Sequence, residues 1–204
     1  MAVKLSLDDE LALIRSSGKT PKLLLHCCCA PCASYVVEYL APYFVITVLY
    51  YNPNIQPRRE YDRRAAEFRK LPVFTGHPNR VDMVKGGYDA DVFQAAAAPF
   101  RDEPEGGRRC RVCFELRLAE TARRAKEGGY DFFATTLSVS PHKDAAVLNE
   151  VGRDLEGDSG VRFLCSDFKK HDGYKHSVEL SKMYGLYRQS YCGCLLSASI
   201  RSER

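Results

Sequence analysis

The sequence contains no apolar run approaching the roughly 18 residues that a bilayer-spanning segment needs, so it predicts no membrane partner. Its first 20 residues lack the apolar block and cleavage site of a secretory signal peptide, and we therefore expect a cytoplasmic protein. Neither GxxxxGKS/T nor GxGxxG occurs, so nothing indicates binding of a nucleoside triphosphate or a dinucleotide. An SGGxDS-type loop, typical of ATP-using thiolating enzymes, is also missing.

Cysteine, in contrast, is abundant, with nine in a chain of 204 residues. An odd number excludes complete pairing in internal disulfides, and in a reducing compartment clustered cysteines are more often metal ligands or redox groups. A chain of this length buries a core without disulfide bonds. The length predicts a single domain over residues 21–204, preceded by an N-terminal extension at residues 1–20 that forms a short helix or a frayed end.

Apolar runs alternate with amphipathic stretches along the chain. β-Branched and aromatic runs favour strands, and a 3.6-residue periodicity favours helices. The predicted strands are Lys22–Leu25, Phe44–Tyr51, Val73–Thr75, Asp131–Thr136 and Val161–Cys165. The predicted helices are Ala33–Leu40, Pro57–Lys70, Tyr88–Ala98, Cys110–Lys126, Lys143–Leu155 and Lys175–Leu186. This alternation predicts an α/β fold with a parallel sheet and helices on both faces, whose ligands bind beyond the carboxyl ends of the strands.

The cysteines fall into three clusters. The first, His26-Cys27-Cys28-Cys29-Ala30-Pro31-Cys32, follows the first predicted strand and precedes a helix. The second, Cys110-Arg111-Val112-Cys113, begins a long helix, and the third is Cys192-Gly193-Cys194. Residues at i and i+3 of a helix can face one metal, and a helix N-terminus lowers the pKa of a thiol. Two such clusters at two helix starts predict a metal site built from four thiolates.

The identity of the metal stays open at this point, because four thiolates suit zinc and an iron–sulfur cluster equally well. A run of adjacent cysteines and a surplus over four favour an iron–sulfur oxidoreductase. The segment Cys29-Ala30-Pro31-Cys32 also fits a thioredoxin-like thiol–disulfide oxidoreductase without metal, although the other clusters would then have no role. A zinc-stabilised RNA-binding module is the third interpretation.

Basic residues occur in three runs although the formal net charge is only +4. A charge run is usually a solvated face, but three runs in one chain favour a polyanionic partner such as RNA. Candidate RNA contacts combine positive charge with an aromatic ring that can stack on a base. They are Arg58, Arg59, Lys169, Lys170 and Tyr174.

Five segments, taken in order, resemble the QueH-type epoxyqueuosine reductases. They are HCCCAPC, YNPNIQPRREYDRR, EPEGGRRCRVCFELRLAETA, TTLSVSPHKD and RQSYCGC, and they extend from about Leu23 to Leu195. The resemblance implies a HUP-like (HIGH-signature/UspA/PP-ATPase type) Rossmannoid fold. It also implies the last step of queuosine biosynthesis, the reduction of epoxyqueuosine to queuosine at the wobble position of tRNA.

The same resemblance implies a 4Fe–4S cluster bound by Cys28, Cys29, Cys110 and Cys113, with a second, mononuclear iron beside it. Cys32 stands where some members of the family carry an aspartate implicated in binding that iron, and cysteine is a softer ligand. We expect two partners: the tRNA anticodon loop that carries epoxyqueuosine, and an external electron donor of the ferredoxin or flavodoxin type.

Removing an epoxide oxygen requires two electrons and a proton donor, and an iron ion would act on the oxygen as a Lewis acid. The candidate catalytic residues belong to the matching motifs: Cys32, Tyr51, Tyr61, His142, Lys143 and Asp144. The motifs do not choose among them, since each tyrosine also fits a core ring and the histidine also fits a surface loop. The third cluster supplies Cys192 and Cys194 as candidates for an electron relay or a regulatory disulfide.

Overall fold

The computed structural model describes residues 5–170 and 172–196, so residues 1–4 of the predicted extension and 197–204 of the predicted domain lie outside it. Within these ranges five strands form one sheet in the order β3-β2-β1-β4-β5, and every neighbouring pair is parallel. The strands are β1 (Lys22–His26), β2 (Val45–Tyr50), β3 (Val81–Lys85), β4 (Phe132–Thr135) and β5 (Arg162–Phe163).

Helices of the described chain cover both faces of this sheet. They are α1 (Leu7–Ser17), α2 (Ala30–Leu40), α3 (Arg58–Glu67), α4 (Ala90–Ala97), α5 (Arg108–Glu127), α6 (Ala145–Ser159) and α7 (Gly173–Met183). The predicted α/β class, with a parallel sheet between helices, is confirmed, whereas its assignment as HUP-like stays a prediction. No helix of the described residues is both long and apolar enough to cross a membrane.

The central strand β1 contributes to two cores because successive side chains of a strand point to opposite faces. Leu23 and Leu25 pack in one core with residues of α2, and Leu24 packs in the other with residues of α5 and α6. Strands that are buried on both faces are apolar without a clean alternation, which is why the sequence of β1 is nearly continuous leucine.

The chain changes direction across the sheet at β1. His26, the last residue of β1, pairs with Leu49 of β2 on one side and with Thr135 of β4 on the other. The connections that leave β1 and β4 therefore diverge, and a crevice opens beyond their carboxyl ends. Ligands of open α/β sheets bind at this kind of switch point, and the first cysteine cluster follows β1 directly.

The N-terminal segment forms a helix, one of the two states predicted for it. Ser6 caps α1 by accepting a hydrogen bond from the Asp9 N–H at 3.2 Å, and the Asp9 carboxylate binds the Ser6 N–H in return. Leu11 and Ile14 of this helix are buried in the same core as Leu23. Helix α1 thus packs on the sheet through its apolar side.

One predicted strand is wrong. Pro72–Phe74 forms a turn of 3-10 helix where Val73–Thr75 was predicted, since a proline at the first position presets a helical φ. The edge strand is β3 instead, and its burial declines from Val81 to Lys85. The remaining elements lie where predicted with shifted ends: α2 begins at Ala30 rather than Ala33, and α6 continues to Ser159.

Candidate metal centre

The first cysteine cluster turns from β1 into α2. Cys27 is buried in the core, and Cys29 is the N-cap of α2, with extended backbone. The Sγ atoms of Cys28 and Cys29 are 3.7 Å apart, and those of Cys29 and Cys32 are 3.3 Å apart. These three sulfur atoms lie within 4.8 Å of one another. The cluster can therefore hold a metal ion, and its thiols are all free.

The second cluster occupies the first two turns of α5, after the N-cap residue Gly107. Cys110 and Cys113 are both buried, and the backbone N–H of Gly106 donates to the Cys110 Sγ at 3.2 Å. The helix N-terminus and this N–H group both favour negative charge on sulfur. The prediction that two clusters stand at two helix starts is confirmed.

Both clusters line one cavity of about 260 Å³ beyond the carboxyl end of β1. Its lining includes seven of the nine cysteines. They are Cys28, Cys29, Cys32, Cys110, Cys113, Cys192 and Cys194. The remaining two lie elsewhere, Cys27 in the core and Cys165 beside the Arg153 guanidinium. The fold thus brings together all four predicted cluster ligands and the third cluster.

The third cluster is hydrogen-bonded to the loop after β2 and to α3. The Gln56 N–H donates to the Gly193 carbonyl at 2.9 Å, and the Arg64 Nη1 donates to the Cys192 carbonyl at 3.1 Å. Gly193 has a φ of +110°, and a Cβ there would lie 2.7 Å from Ile55, so this position requires glycine. Cys194 is buried in a small apolar group that also contains Cys113.

Of the three neighbouring thiols Cys28, Cys29 and Cys32, only that of Cys29 has a lowered pKa. Hydrogen bonds with the Cys28 and Cys32 thiols hold the pKa of Cys29 well below its ordinary value, and hydrogen bonds with Cys28 and Cys29 raise the pKa of Cys32 well above it. In the second cluster, burial raises the pKa of Cys113 to about 11, against the opposing charge of Arg117. A bound cation would favour the deprotonated form of each of these thiols.

Buried cations surround the sulfur atoms. Arg64, Arg109, Arg117 and Lys143 are all buried residues that line the cavity. A carboxylate accompanies two of them: Glu60 lies 2.7 Å from Arg64, and Glu105 lies 3.6 Å from Lys143. Nη2 of Arg109 is buried and has no hydrogen-bond partner within residues 5–170 and 172–196. Soft thiolate donors next to a buried guanidinium group with one unpartnered nitrogen fit an anionic iron–sulfur or zinc–thiolate centre.

Sequence reasoning predicted Lys143 as a site residue but missed the three arginines, although a signal was present for Arg117. Arg117 is four residues after Cys113 and seven after Cys110, so the three residues share one face of α5. That face is otherwise apolar, with Phe114 and Leu118. An arginine on a cysteine-bearing apolar face indicates a buried charge and not a solvated run.

Among the candidate catalytic residues, Cys32, His142 and Lys143 line the cavity. Lys143 is buried, whereas His142 is exposed at the rim. Asp144 has a structural position, since its carboxylate accepts hydrogen bonds from the N–H groups of Ala146 and Val147 and caps α6.

The two candidate tyrosines are not among the described residues that line the cavity. The Tyr61 hydroxyl donates to the carbonyls of Gly86 and Gly87, each at 3.1 Å, and its ring packs between two other tyrosine rings. Tyr51 is buried in the core on the α5 side, and burial together with a hydrogen bond to Asp89 raises its pKa to about 12.

Of the five candidate RNA contacts, Tyr174 alone lines the cavity. Its ring is 41% exposed, and the Arg188 guanidinium carbon lies 5.7 Å from the ring centroid. Lys169 is bound internally, donating to the carbonyls of Ser138 and Lys143. The other three are exposed, and Arg58 forms an ion pair with Asp62 at 2.9 Å.

A switch-point crevice lined by clustered thiols and buried arginines defines a Rossmann-type α/β protein with a cysteine-based centre able to bind metal. The sequence model of one family, described as epoxyqueuosine reductase QueH, matches residues 23–199. The chain belongs to the QueH family of epoxyqueuosine reductases and is therefore an oxidoreductase.

Several curated proteins named epoxyqueuosine reductase QueH are similar to the chain over most of its length. The protein from Streptococcus pyogenes serotype M1 is 43% identical over 89% of this chain and 72% of its own. The protein from Staphylococcus epidermidis is 40% identical over 96% of this chain and 85% of its own. The Thermotoga maritima protein is 34% identical, covering 89% of this chain and 93% of its own.

Proposed function

We propose that this protein is an epoxyqueuosine reductase that converts epoxyqueuosine to queuosine at the wobble position of tRNA, the last step of queuosine biosynthesis. The observation that supports this most directly is that a QueH-family chain has both of its CxxC-bearing clusters in one cavity at the switch point of the sheet. Because tRNA is the proposed substrate, the proposal includes a cytoplasmic location.

The proposed cofactor is a 4Fe–4S cluster held by Cys28, Cys29, Cys110 and Cys113. A second, mononuclear iron would bind next to Cys32, and the 3.3 Å separation between the sulfur atoms of Cys29 and Cys32 supports a role for this thiol at the same centre. When bound, these groups supply electrons one at a time and a Lewis acid for the epoxide oxygen.

The reaction consumes two electrons and two protons: both carbon–oxygen bonds of the epoxide break, a carbon–carbon double bond forms, and the oxygen leaves as water. Lys143 is the proposed proton donor, because its ammonium group is buried in the cavity lining. Glu105 lies 3.6 Å from Nζ and holds the ammonium group in position. His142, exposed at the rim, is the second candidate. Tyr51, Tyr61 and Asp144 keep structural roles in this proposal.

A wobble base must leave the stack of the anticodon loop to reach the cavity. Tyr174 and Arg188 are the proposed residues that receive it, and the support is that both line the cavity and are exposed. Arg58, Arg59, Lys169 and Lys170 are proposed to contact the phosphate backbone around this point.

We expect the Tyr174→Ala variant to raise the KM for epoxyqueuosine tRNA by about 5- to 100-fold, because stacking contributes roughly 1–3 kcal/mol per base. The Tyr174→Phe variant retains the ring and should keep the KM of the wild type. Steady-state kinetics with purified tRNA measures both. Equal KM values for all three proteins would contradict the stacking role.

The electrons come from an external donor of the ferredoxin or flavodoxin type, and we propose that Cys192 and Cys194 relay them or form a regulatory disulfide. The Cys192→Ser and Cys194→Ser variants should bind iron normally but lose about tenfold or more in turnover. Anaerobic stopped-flow spectroscopy of electron uptake, with nucleoside analysis, tests this. Wild-type electron uptake and turnover in both variants would end the relay hypothesis.

The test of the proposed function is anaerobic reconstitution with iron and sulfide, followed by reaction with epoxyqueuosine tRNA and nucleoside mass spectrometry. Queuosine should form only with a loaded centre and a reductant. A fully loaded centre that converts no epoxyqueuosine would refute the proposal. Stoichiometric zinc without colour would favour the RNA-binding module. A metal-free protein with a reversible Cys29–Cys32 disulfide would favour the thiol–disulfide oxidoreductase.

A further inference from the structure

Two arginines beside the cavity carry buried charge without a carboxylate partner. Arg109 is 1% exposed and Arg117 is 3% exposed. In the described part of the chain neither forms an ion pair, and their hydrogen bonds end on backbone carbonyls: Arg109 binds those of Arg101 and Glu103, and Arg117 that of Cys113. A guanidinium group buried in this way costs free energy unless a negative charge compensates it.

Among the residues that the structure describes, the acidic side chains near the cavity already have partners. Glu60 pairs with Arg64, and Glu105 faces Lys143. The Glu103 carboxylate, which feels the charge of Arg109, is bound by the backbone and side chain of Arg108. The compensating charge for Arg109 and Arg117 must therefore come from another kind of group.

Cysteine thiolates are the remaining anions at this place. The Nε of Arg117 binds the carbonyl of Cys113 at 2.9 Å, and Arg117 lines the cavity that both clusters line. Arg109 precedes Cys110 directly and lines the same cavity. Four thiolates around one zinc ion, or around an oxidised 4Fe–4S core, leave two negative charges. Two uncompensated guanidinium groups balance that charge.

We propose that Arg109 and Arg117 are positioning residues that act as the counter-charges of the metal–thiolate centre, holding it in its anionic form and making it easier to reduce. The inference deepens the proposed function and rests on it for the identity of the metal group. Each electron added makes the centre more negative, so a fixed positive charge favours the reduced state. Because the arginines are buried, this interaction is weakly screened by salt.

The test compares Arg117→Met, which removes the charge but keeps a long apolar side chain, with Arg117→Lys, which keeps the charge. Zinc alone is titrated into the reduced, metal-free protein against a chromophoric chelator. The midpoint potential is then measured on protein reconstituted with iron and sulfide. In Arg117→Met we expect about tenfold weaker zinc binding and a potential lowered by about 59 mV, the equivalent of tenfold for one electron. Arg117→Lys should recover most of both.

A merely structural arginine would behave differently. Removing an uncompensated buried charge should leave the unfolding temperature of the metal-free protein unchanged or raised, whereas loss of a structural contact would lower it. Arg109→Met is the second variant and should shift zinc affinity and potential in the same direction. Arg123→Met is the matched control on α5, because Arg123 is exposed and pairs with Glu120 and Glu127. This control should change neither quantity.

The outcomes separate the two proposals. Unchanged zinc affinity and potential in both methionine variants would overturn the counter-charge role while leaving the reductase function intact. If the wild type takes up no iron and sulfide, the proposed function fails, but weaker zinc binding by Arg117→Met would still support the counter-charge role. A loss in Arg117→Met that Arg117→Lys does not recover, with a lowered unfolding temperature, would mark the residue as structural and overturn the inference.

Discussion

The Cys113→Ser variant should lose stable iron binding, and with it more than about 100-fold in epoxyqueuosine reduction. Loss of an outer-shell partner of a metal ligand typically costs 10- to 100-fold, and loss of the ligand itself costs more. Serine offers a harder oxygen that does not ionise at neutral pH, so it cannot replace a thiolate on iron. Cys113 also lines the cavity from the second turn of α5, and no other cysteine follows it within that helix.

The measurement is iron and sulfide per chain after anaerobic reconstitution, followed by nucleoside mass spectrometry. Cys165→Ser is the matched control, because Cys165 lies outside the cavity and contacts Arg153. It should bind iron and turn over like the wild type. If Cys113→Ser retains full iron and sulfide, or if Cys165→Ser loses as much, the four-thiolate assignment is wrong.

The Gly173→Ala variant should lower the free energy of unfolding by about 3 kcal/mol or more. Gly173 begins α7 and is buried. A Cβ at this position would lie 2.0 Å from the Phe168 carbonyl oxygen and 2.5 Å from the Tyr35 ring. Overpacking usually costs 1–3 kcal/mol, and here the obstacle is backbone, which cannot move aside. Since Tyr174 is the next residue, we also expect a raised KM for tRNA.

Gly157→Ala is the control for this substitution. Gly157 lies within α6 and is exposed, and an added Cβ would meet nothing within 4 Å. Alanine should therefore raise stability by about 0.5–1 kcal/mol, since it favours a helix interior over glycine. Urea unfolding of both variants measures these changes in stability. Equal urea midpoints for Gly173→Ala and the wild type would show that the Phe168 carbonyl does not exclude a Cβ at position 173.

The parallel sheet could be predicted because its central strands are buried on both faces, which makes Leu23–Leu25 and Val45–Tyr50 continuous apolar runs. The edge strand could not be predicted with the same rule. Val81–Lys85 contains two charged residues, and its residues become more exposed towards Lys85. Pro72–Phe74 is a short apolar stretch, but it forms a 3-10 turn. A short run of apolar residues does not distinguish a strand from a buried turn.

The positions of the clustered cysteines at two helix starts could be predicted, but the residues that surround them could not. The spacing of Cys110 and Cys113 indicates a metal site, since i and i+3 residues of one helix face the same direction. The role of Tyr61 depends instead on Gly86 and Gly87, which are remote in sequence and accept its hydroxyl hydrogen bonds. Lys143 and Asp144 are adjacent in sequence, yet only Lys143 lines the cavity.

By itself, the sequence determined the α/β class, the cysteine clusters and the family, because periodicity, residue spacing and ordered motifs are local properties of a chain. Only the tertiary structure decided that the three clusters share one cavity and that Arg109 and Arg117 lie buried beside them with no carboxylate partner among the described residues. The shared cavity depends on the distances between remote segments, and the state of the arginines depends on their burial. Both depend on how remote segments pack against the sheet, which no spacing along the chain specifies.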